Sequence, residues 1–210
     1  MPPPLARGRQ RGCDGLPDGR ILVGVNPTSA FAIDVPDSLL RRVRSGDAAA
    51  FETIYRRFER PLFTLALRLL GDREEAHEVL QDSMLKVLDR LGEFRGESPF
   101  WGWLRQIAVN EALMRLRRRG RLDYSDAPPD PGCDDDSPTL PAAAAEAAVL
   151  GRALAQLPDL TRSVLWLYHG EGYTHEEIGR LMGKGPSFSK SRVSRGLQQL
   201  RERLGVTRPE

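Results

Sequence analysis

Between Glu93 and Arg121 the chain reads EFRGESPFWGWLRQIAVNEALMRLRRRGR. Phe94, Phe100, Trp101 and Trp103 stand just upstream of Arg105, Arg115, Arg117, Arg118, Arg119 and Arg121. Guanidinium groups along a helix suit a phosphate backbone, and aromatic rings offer stacking faces to unpaired bases. The combination fits DNA that is being opened rather than merely gripped. Taken singly, Phe94 and Trp103 also fit an apolar stripe with Leu104 and Ile107, where core packing is the simpler role.

A second polar set, Lys190, Ser191, Arg192 and Arg195, lies near the start of the last periodic segment. Long donors at the start of a helix are what base edges and phosphates of a major groove require. A solvated amphipathic helix would carry the same charges, but the capped helix and glycine turn before it favour the groove-reading role. Enzymatic chemistry finds no footing. His175-Glu176-Glu177 lacks the second histidine of a zinc-protease helix, and GKGPSFSKS lacks the spacing of a phosphate-cradling loop. His77 and His169 stand without a nucleophile or ligand set, and Cys13 and Cys133 have no CxxC spacing. No catalytic residue, metal, cofactor or small-molecule substrate is therefore expected.

The 210-residue chain has a formal charge of only +2. That sum hides segregation: residues 105–121 carry six Arg against one Glu, and residues 123–136 carry six Asp and no Lys or Arg. No run approaches the roughly 18 apolar residues of a membrane span, and ILVGV near the start is too short for a secretory core. A cytoplasmic location is the expectation.

The elements that must position these residues read as helices. Phe51, Ile54, Tyr55, Phe58, Leu62, Leu65, Ala66 and Leu69 recur at the spacing of one buried face; Pro61 predicts a kink or break within it. After Gly71-Asp72 the stripe resumes with Ala76, Val79, Leu80, Met84, Val87, Leu88 and Leu91. The opposite face then holds Glu74, Glu75, Glu78, Gln81, Asp82, Lys86 and Asp89. Ser98-Pro99 predicts the start of a third long helix running through Arg119. Thr174 and Glu177 fit a capping box, Gly183 and Gly185 stop that helix, and Pro186 opens the next, with Val193, Leu197, Leu200 and Leu204 inward. The prediction is an all-α chain of two small helical domains, 37–121 and 144–206, joined by a flexible acidic, Pro-rich linker, 122–143. A disordered extension, 1–36, precedes them.

These two blocks together resemble the extracytoplasmic-function sigma factors of RNA polymerase. The stretch from FETIYRRFERPLF to RLRRRGR resembles their region 2, and LPDLTRSVLWLYHGEGYTHEEIGRLMG with KSRVSRGLQQLRERL resembles their region 4. The resemblance implies a non-enzymatic protein that binds core polymerase through its largest and second-largest subunits. It further implies promoter DNA and an anti-sigma factor as partners. It places Glu75, Glu78, Gln81, Asp82 and Lys86 against polymerase, and Phe94, Arg95, Gly96, Glu97, Ser98, Phe100, Trp103, Asn110, Arg115, Arg117 and Arg118 at the minus-10 element. Ser187, Phe188, Lys190, Ser191, Arg192 and Arg195 would face the minus-35 element. About 25 linker residues reach at most roughly 80 Å, enough to bridge two promoter elements. Three positions depart from the family pattern: His77 stands where an acid is usual, and Phe188 and Ser189 where Thr and an apolar residue are expected.

Two rivals remain at this level. A stand-alone dimeric helix-turn-helix regulator would explain the last helices, but leaves the first domain and the acidic linker without a role. A helical adaptor would treat both cationic helices as solvated faces.

Overall fold

Val35, Leu40 and Val43 begin the buried set of the first domain, in a computed structural model that describes residues 33–119 and 142–205. Leu40 and Val43 lie on α1 (Asp37–Arg44). Val35 is buried, and the Arg57 guanidinium donates to the Asp34 carbonyl at 3.1 Å. The first domain thus starts a few residues before Asp37, and the end of the segment expected to be disordered is packed. Residues 1–32, and most of the predicted linker, lie outside the described residues.

Asp47 caps α2 (Ala48–Leu70), accepting from the Ala49 and Ala50 amides at 3.0 and 3.1 Å. These bonds, with Arg42 alongside, hold its carboxyl below the usual carboxylate range. Pro61 lies inside α2 without splitting it. Proline removes one intrahelical donor, but Ile54, Phe58, Leu62 and Leu65 form one buried face on both sides of it, so packing keeps the helix continuous. Gly71 ends α2 in the left-handed region, φ +71°, its amide donating to Leu67. Asp72 then caps α3 (Arg73–Arg90) by accepting from the Glu75 amide at 3.0 Å. A 3-10 turn over Leu91–Glu93 leads to a short loop, and α4 (Phe100–Arg118) follows. Its start has Pro99 in the cap position with no side-chain bond, so Ser98 is not the cap.

α2, α3 and α4 pack on one another around an aromatic centre. Phe58 lies 5.3 Å from Phe100 and stacks on Trp101 at 5.9 Å; Phe94 meets Phe100 edge-on at 5.6 Å and Trp103 at 5.4 Å. Arg44 ties α1 to this centre by donating to the Leu91 and Phe94 carbonyls.

The second domain opens with α5 (Ala142–Ala155) and continues with α6 (Asp159–Leu165), whose end widens into a π turn over Trp166–Gly170. α7 (His175–Leu181) begins with the predicted capping box of Thr174 and Glu177. α8 (Pro186–Leu204) has proline in its first turn. α6 and α8 meet at Gly196, where an added Cβ would sit 2.6 Å from Leu165 and 2.8 Å from Thr161. Only a residue without a side chain lets the helices approach so closely.

Candidate nucleic-acid interface

The aromatic residues predicted at the minus-10 site lie in the core. Phe94, Phe100 and Trp103 are 8%, 4% and 2% exposed, and their ring contacts are with one another and with Phe58. As placed, they give no stacking face to a base, which corrects the expectation for all three. The reason is geometric: α4 is flanked by α2 and α3, so its first turn has little free face. The exposed residues are those of the loop before α4, Arg95, Gly96 and Glu97, with Ser98 half-buried and Asn110 exposed about midway along α4. Asn110 accepts from the Gln106 side-chain amide at 3.2 Å.

Apart from Arg118, the arginines of α4 and the Arg119 that follows it are engaged. Arg115 donates to Glu78 and, at 2.5 Å, to Asp82, both on α3. Arg119 pairs with Glu75 and lies 3.7 Å from Asp72 and 3.9 Å from Asp159. Arg117 donates to the Leu181 carbonyl at the end of α7. Arg105 is buried against the Glu171 carboxylate at 3.3 Å and over the Tyr173 ring at 5.0 Å. Arg118 is exposed.

The same pairings reshape the predicted polymerase face. Gln81 is exposed on α3, and Glu78 and Asp82 keep much of their carboxylates in water while holding Arg115. Lys86 departs from the expectation: it is only part-exposed and paired with the buried Glu111 of α4. A carboxylate taken out of water needs a compensating charge, so Lys86 joins α3 to α4 rather than standing free on the outer face.

On α8, Ser187, Lys190, Ser191 and Arg195 are exposed, and Phe188 is half-buried. Arg192 is not on this face. It is 6% exposed, donates to the Thr161 hydroxyl at 3.3 Å, and its guanidinium lies 5.7 Å from the Phe188 ring. Ser189 is fully buried, its hydroxyl 3.0 Å from His175 Nδ1. The buried set Ser189, Arg192, Val193, Gly196 and Leu200 is rotated from the apolar stripe predicted through Leu197 and Leu204. The rotation escaped apolar periodicity because three of its members are Ser, Arg and Gly.

Sequence reasoning also passed over Asp159, Arg162, Ser163 and Glu171, all part of the contact between the two domains. Their one local signal is the i,i+3 pair Asp159 and Arg162, which lie 2.9 Å apart. Tyr173 belongs to the same contact: its hydroxyl donates to Gln106 at 3.3 Å, and burial pushes its pKa up to about 12, with Arg105 opposing. Among the described residues, no helix is long and apolar enough to cross a membrane.

Comparison with known proteins assigns both halves. Residues 54–122 match the family described as Sigma-70 region 2, and residues 147–200 match Sigma-70, region 4. The RNA polymerase sigma-H factor of Pseudomonas aeruginosa is 30% identical over 182 residues, covering 79% of this chain and 92% of that one. The ECF RNA polymerase sigma factor SigM of Mycobacterium tuberculosis is 33% identical over 163 residues, covering 77% and 80%. Among solved structures, the sigma factor RpoE of Bartonella quintana, in complex with the anti-sigma factor NepR, superimposes with a TM-score of 0.50 at 26% identity. That match covers 75% of this chain and 98% of RpoE.

Proposed function

The chain belongs to the extracytoplasmic-function sigma factors, which direct RNA polymerase to promoters without chemistry of their own, and from that premise we propose how its surfaces divide the work. The domain built from α1 to α4 docks on core polymerase and engages the minus-10 element; that opening with α5 reads the minus-35 element as duplex; the residues between α4 and α5 connect them. Core polymerase meets Glu75, Glu78, Gln81 and Asp82 on α3. The minus-10 strand meets Arg95, Gly96, Glu97, Ser98, Asn110 and Arg118, with Arg115 and Arg117 joining once their present partners release them. Phe94, Phe100 and Trp103 support that loop from beneath.

The observation that carries the reading is the start of α8. Ser187, Lys190, Ser191 and Arg195 are exposed within its first three turns, behind a capped α7, as a helix entering a major groove requires. Lys190 and Ser191 contact bases, Arg195 holds phosphate, and Phe188 offers an apolar edge to a thymine methyl. Like the RpoE of Bartonella quintana, the chain has an anti-sigma factor as a further partner, and it acts in the cytoplasm. The test is run-off transcription: the purified chain with core polymerase yields promoter-dependent transcript, and Lys190→Ala selectively weakens promoters with the preferred minus-35 sequence. Absence of any promoter-dependent transcript across a genomic template library overturns the reading.

A further inference from the structure

A helix that reads a groove must be held against rotation about its own axis, because a turn of one residue, about 100°, exchanges the side chains it presents. α8 is held from two sides. In its middle Gly196 lies against Leu165 and Thr161 of α6, and Arg192 donates to the Thr161 hydroxyl. At its first turn the seat is α7. Gly179 of α7 has no side chain to hold off the turn before α8: an added Cβ would fall 2.8 Å from the Lys184 carbonyl oxygen, and the Lys184 amide donates to the Gly179 carbonyl at 2.7 Å. His175 stands four residues earlier, on the same face of α7. Its Nδ1 lies 3.0 Å from the hydroxyl of Ser189 on α8.

The imidazole is aimed as well as near. Its ring stacks on that of Tyr168 at 4.3 Å, with 11° between the planes, and Tyr168 in turn meets His169 edge-on at 4.8 Å. Tyr168 belongs to the π turn that ends α6, so the stack fixes the plane in which Nδ1 points. Ser189 is fully buried, and a hydroxyl taken out of water needs a protein partner. It is also one of the three positions that depart from the family pattern. An apolar residue there would pack without direction, whereas a hydrogen bond is directional. Lys190 and Ser191 follow at once and are exposed, so any rotation at Ser189 is carried to them.

We infer that His175 is a positioning residue for minus-35 reading: held by its stack on Tyr168, it grips Ser189, fixes the rotation of the first turn of α8 and so aims Lys190 and Ser191 at base edges. The inference rests on the assignment of α8 to the minus-35 duplex given above. The two seats of α8 divide the work. Arg195 lies beyond Arg192 and next to Gly196, on the part of the helix seated on α6, so its hold on phosphate does not depend on His175. Loss of the bond between His175 and Ser189 therefore loosens base reading and leaves sequence-independent binding in place.

The experiment uses the full chain with core polymerase. A duplex library randomised over the minus-35 element yields the preferred sequence, which is then titrated beside a scrambled duplex; the ratio of the two affinities is the discrimination. His175→Phe, which keeps a ring on Tyr168, and Ser189→Ala should each lower discrimination about 5-fold, within the coupling range of side chains in contact, with binding to scrambled duplex unchanged. The double variant should fall no further, because both changes break one contact. In thermal melts of the full chain it should match the wild type, since removal of both partners leaves no buried orphan; stability returns while discrimination does not. His175→Asn, whose side-chain amide reaches where Nδ1 does, should keep the wild-type discrimination. Wild-type discrimination in either His175→Phe or Ser189→Ala overturns the inference. So does a double variant that recovers discrimination together with its melt, or a His175→Asn protein as poor as His175→Phe. If a single variant unfolds, the double variant decides, and a double variant that also unfolds overturns the inference. Lys190→Ala is the control: discrimination lost there but kept in His175→Phe and Ser189→Ala sinks the positioning role alone, whereas discrimination undiminished in Lys190→Ala sinks the functional reading beneath it.

Discussion

Arg192→Ala separates a base-reading arginine from one that holds the recognition helix in place. The side chain is almost wholly buried, donates to Thr161 at 3.3 Å across α6, and lies against Phe188. Truncation removes a long bond from a charged donor and leaves the Thr161 hydroxyl buried without it, about 1–2 kcal/mol. Loss of the cation–ring contact adds about 0.5 kcal/mol, and the vacated stem space about another 1 kcal/mol. The sum, about 3 kcal/mol, would lower the melting temperature of a domain of this size by roughly 12–24 °C. Binding to cognate and scrambled minus-35 duplexes should fall together, because the whole helix shifts. Lys190→Ala should leave the melt unchanged and weaken only the cognate duplex, by about 1–3 kcal/mol. The assay is a thermal melt followed by circular dichroism, paired with titrations of both duplexes at several salt concentrations. An Arg192→Ala protein that melts normally and loses discrimination alone would put this guanidinium in the groove and refute the argument.

Trp103→Ala should cost about 3–5 kcal/mol in urea unfolding of the first domain, and strand opening and promoter binding should fail together; permanganate reactivity lost with stability intact would instead make Trp103 a base contact. Glu78→Gln with Asp82→Asn should weaken co-purification with core polymerase while raising the isolated chain's affinity for single-stranded DNA, because Arg115 is freed for phosphate. Tyr173, raised to about 12 in the folded chain, stays protonated where an unfolded tyrosine ionises near 10. Its contribution is therefore complete below about pH 10 and is lost as pH rises toward 12, roughly 2–3 kcal/mol. Urea melts across that range should show the decline in the wild type and less of it in Tyr173→Phe. Gly196→Ala should drive α8 from α6 at a cost of about 1–3 kcal/mol, read by the same melts.

The elements were legible in the chain because their causes are local. The capping box of Thr174 and Glu177, the proline opening α8 and the glycine closing α2 each act within a few residues. The stripe from Ile54 to Leu69 survived even Pro61, since a buried face outweighs one missing amide. The order of the two blocks was likewise enough to place the chain in its family. Local signals could not say which polar side chains turn inward. Phe94 and Trp103 had two consistent roles, and only the packing of α2 and α3 around α4 chose the core. Arg192 looked outward because Gly196 and Ser189, which mark the true inner face of α8, carry no apolar signature. The arginines of α4 find their partners 33 and 37 residues back on α3 and 64 to 66 residues ahead in the second domain. Arg162 finds two backbone carbonyls more than 90 residues away. A carbonyl has no letter in a sequence, and an ion pair across such a separation exists only once the domains close. Tertiary structure alone decided which charges are offered to partners and which are held within the fold.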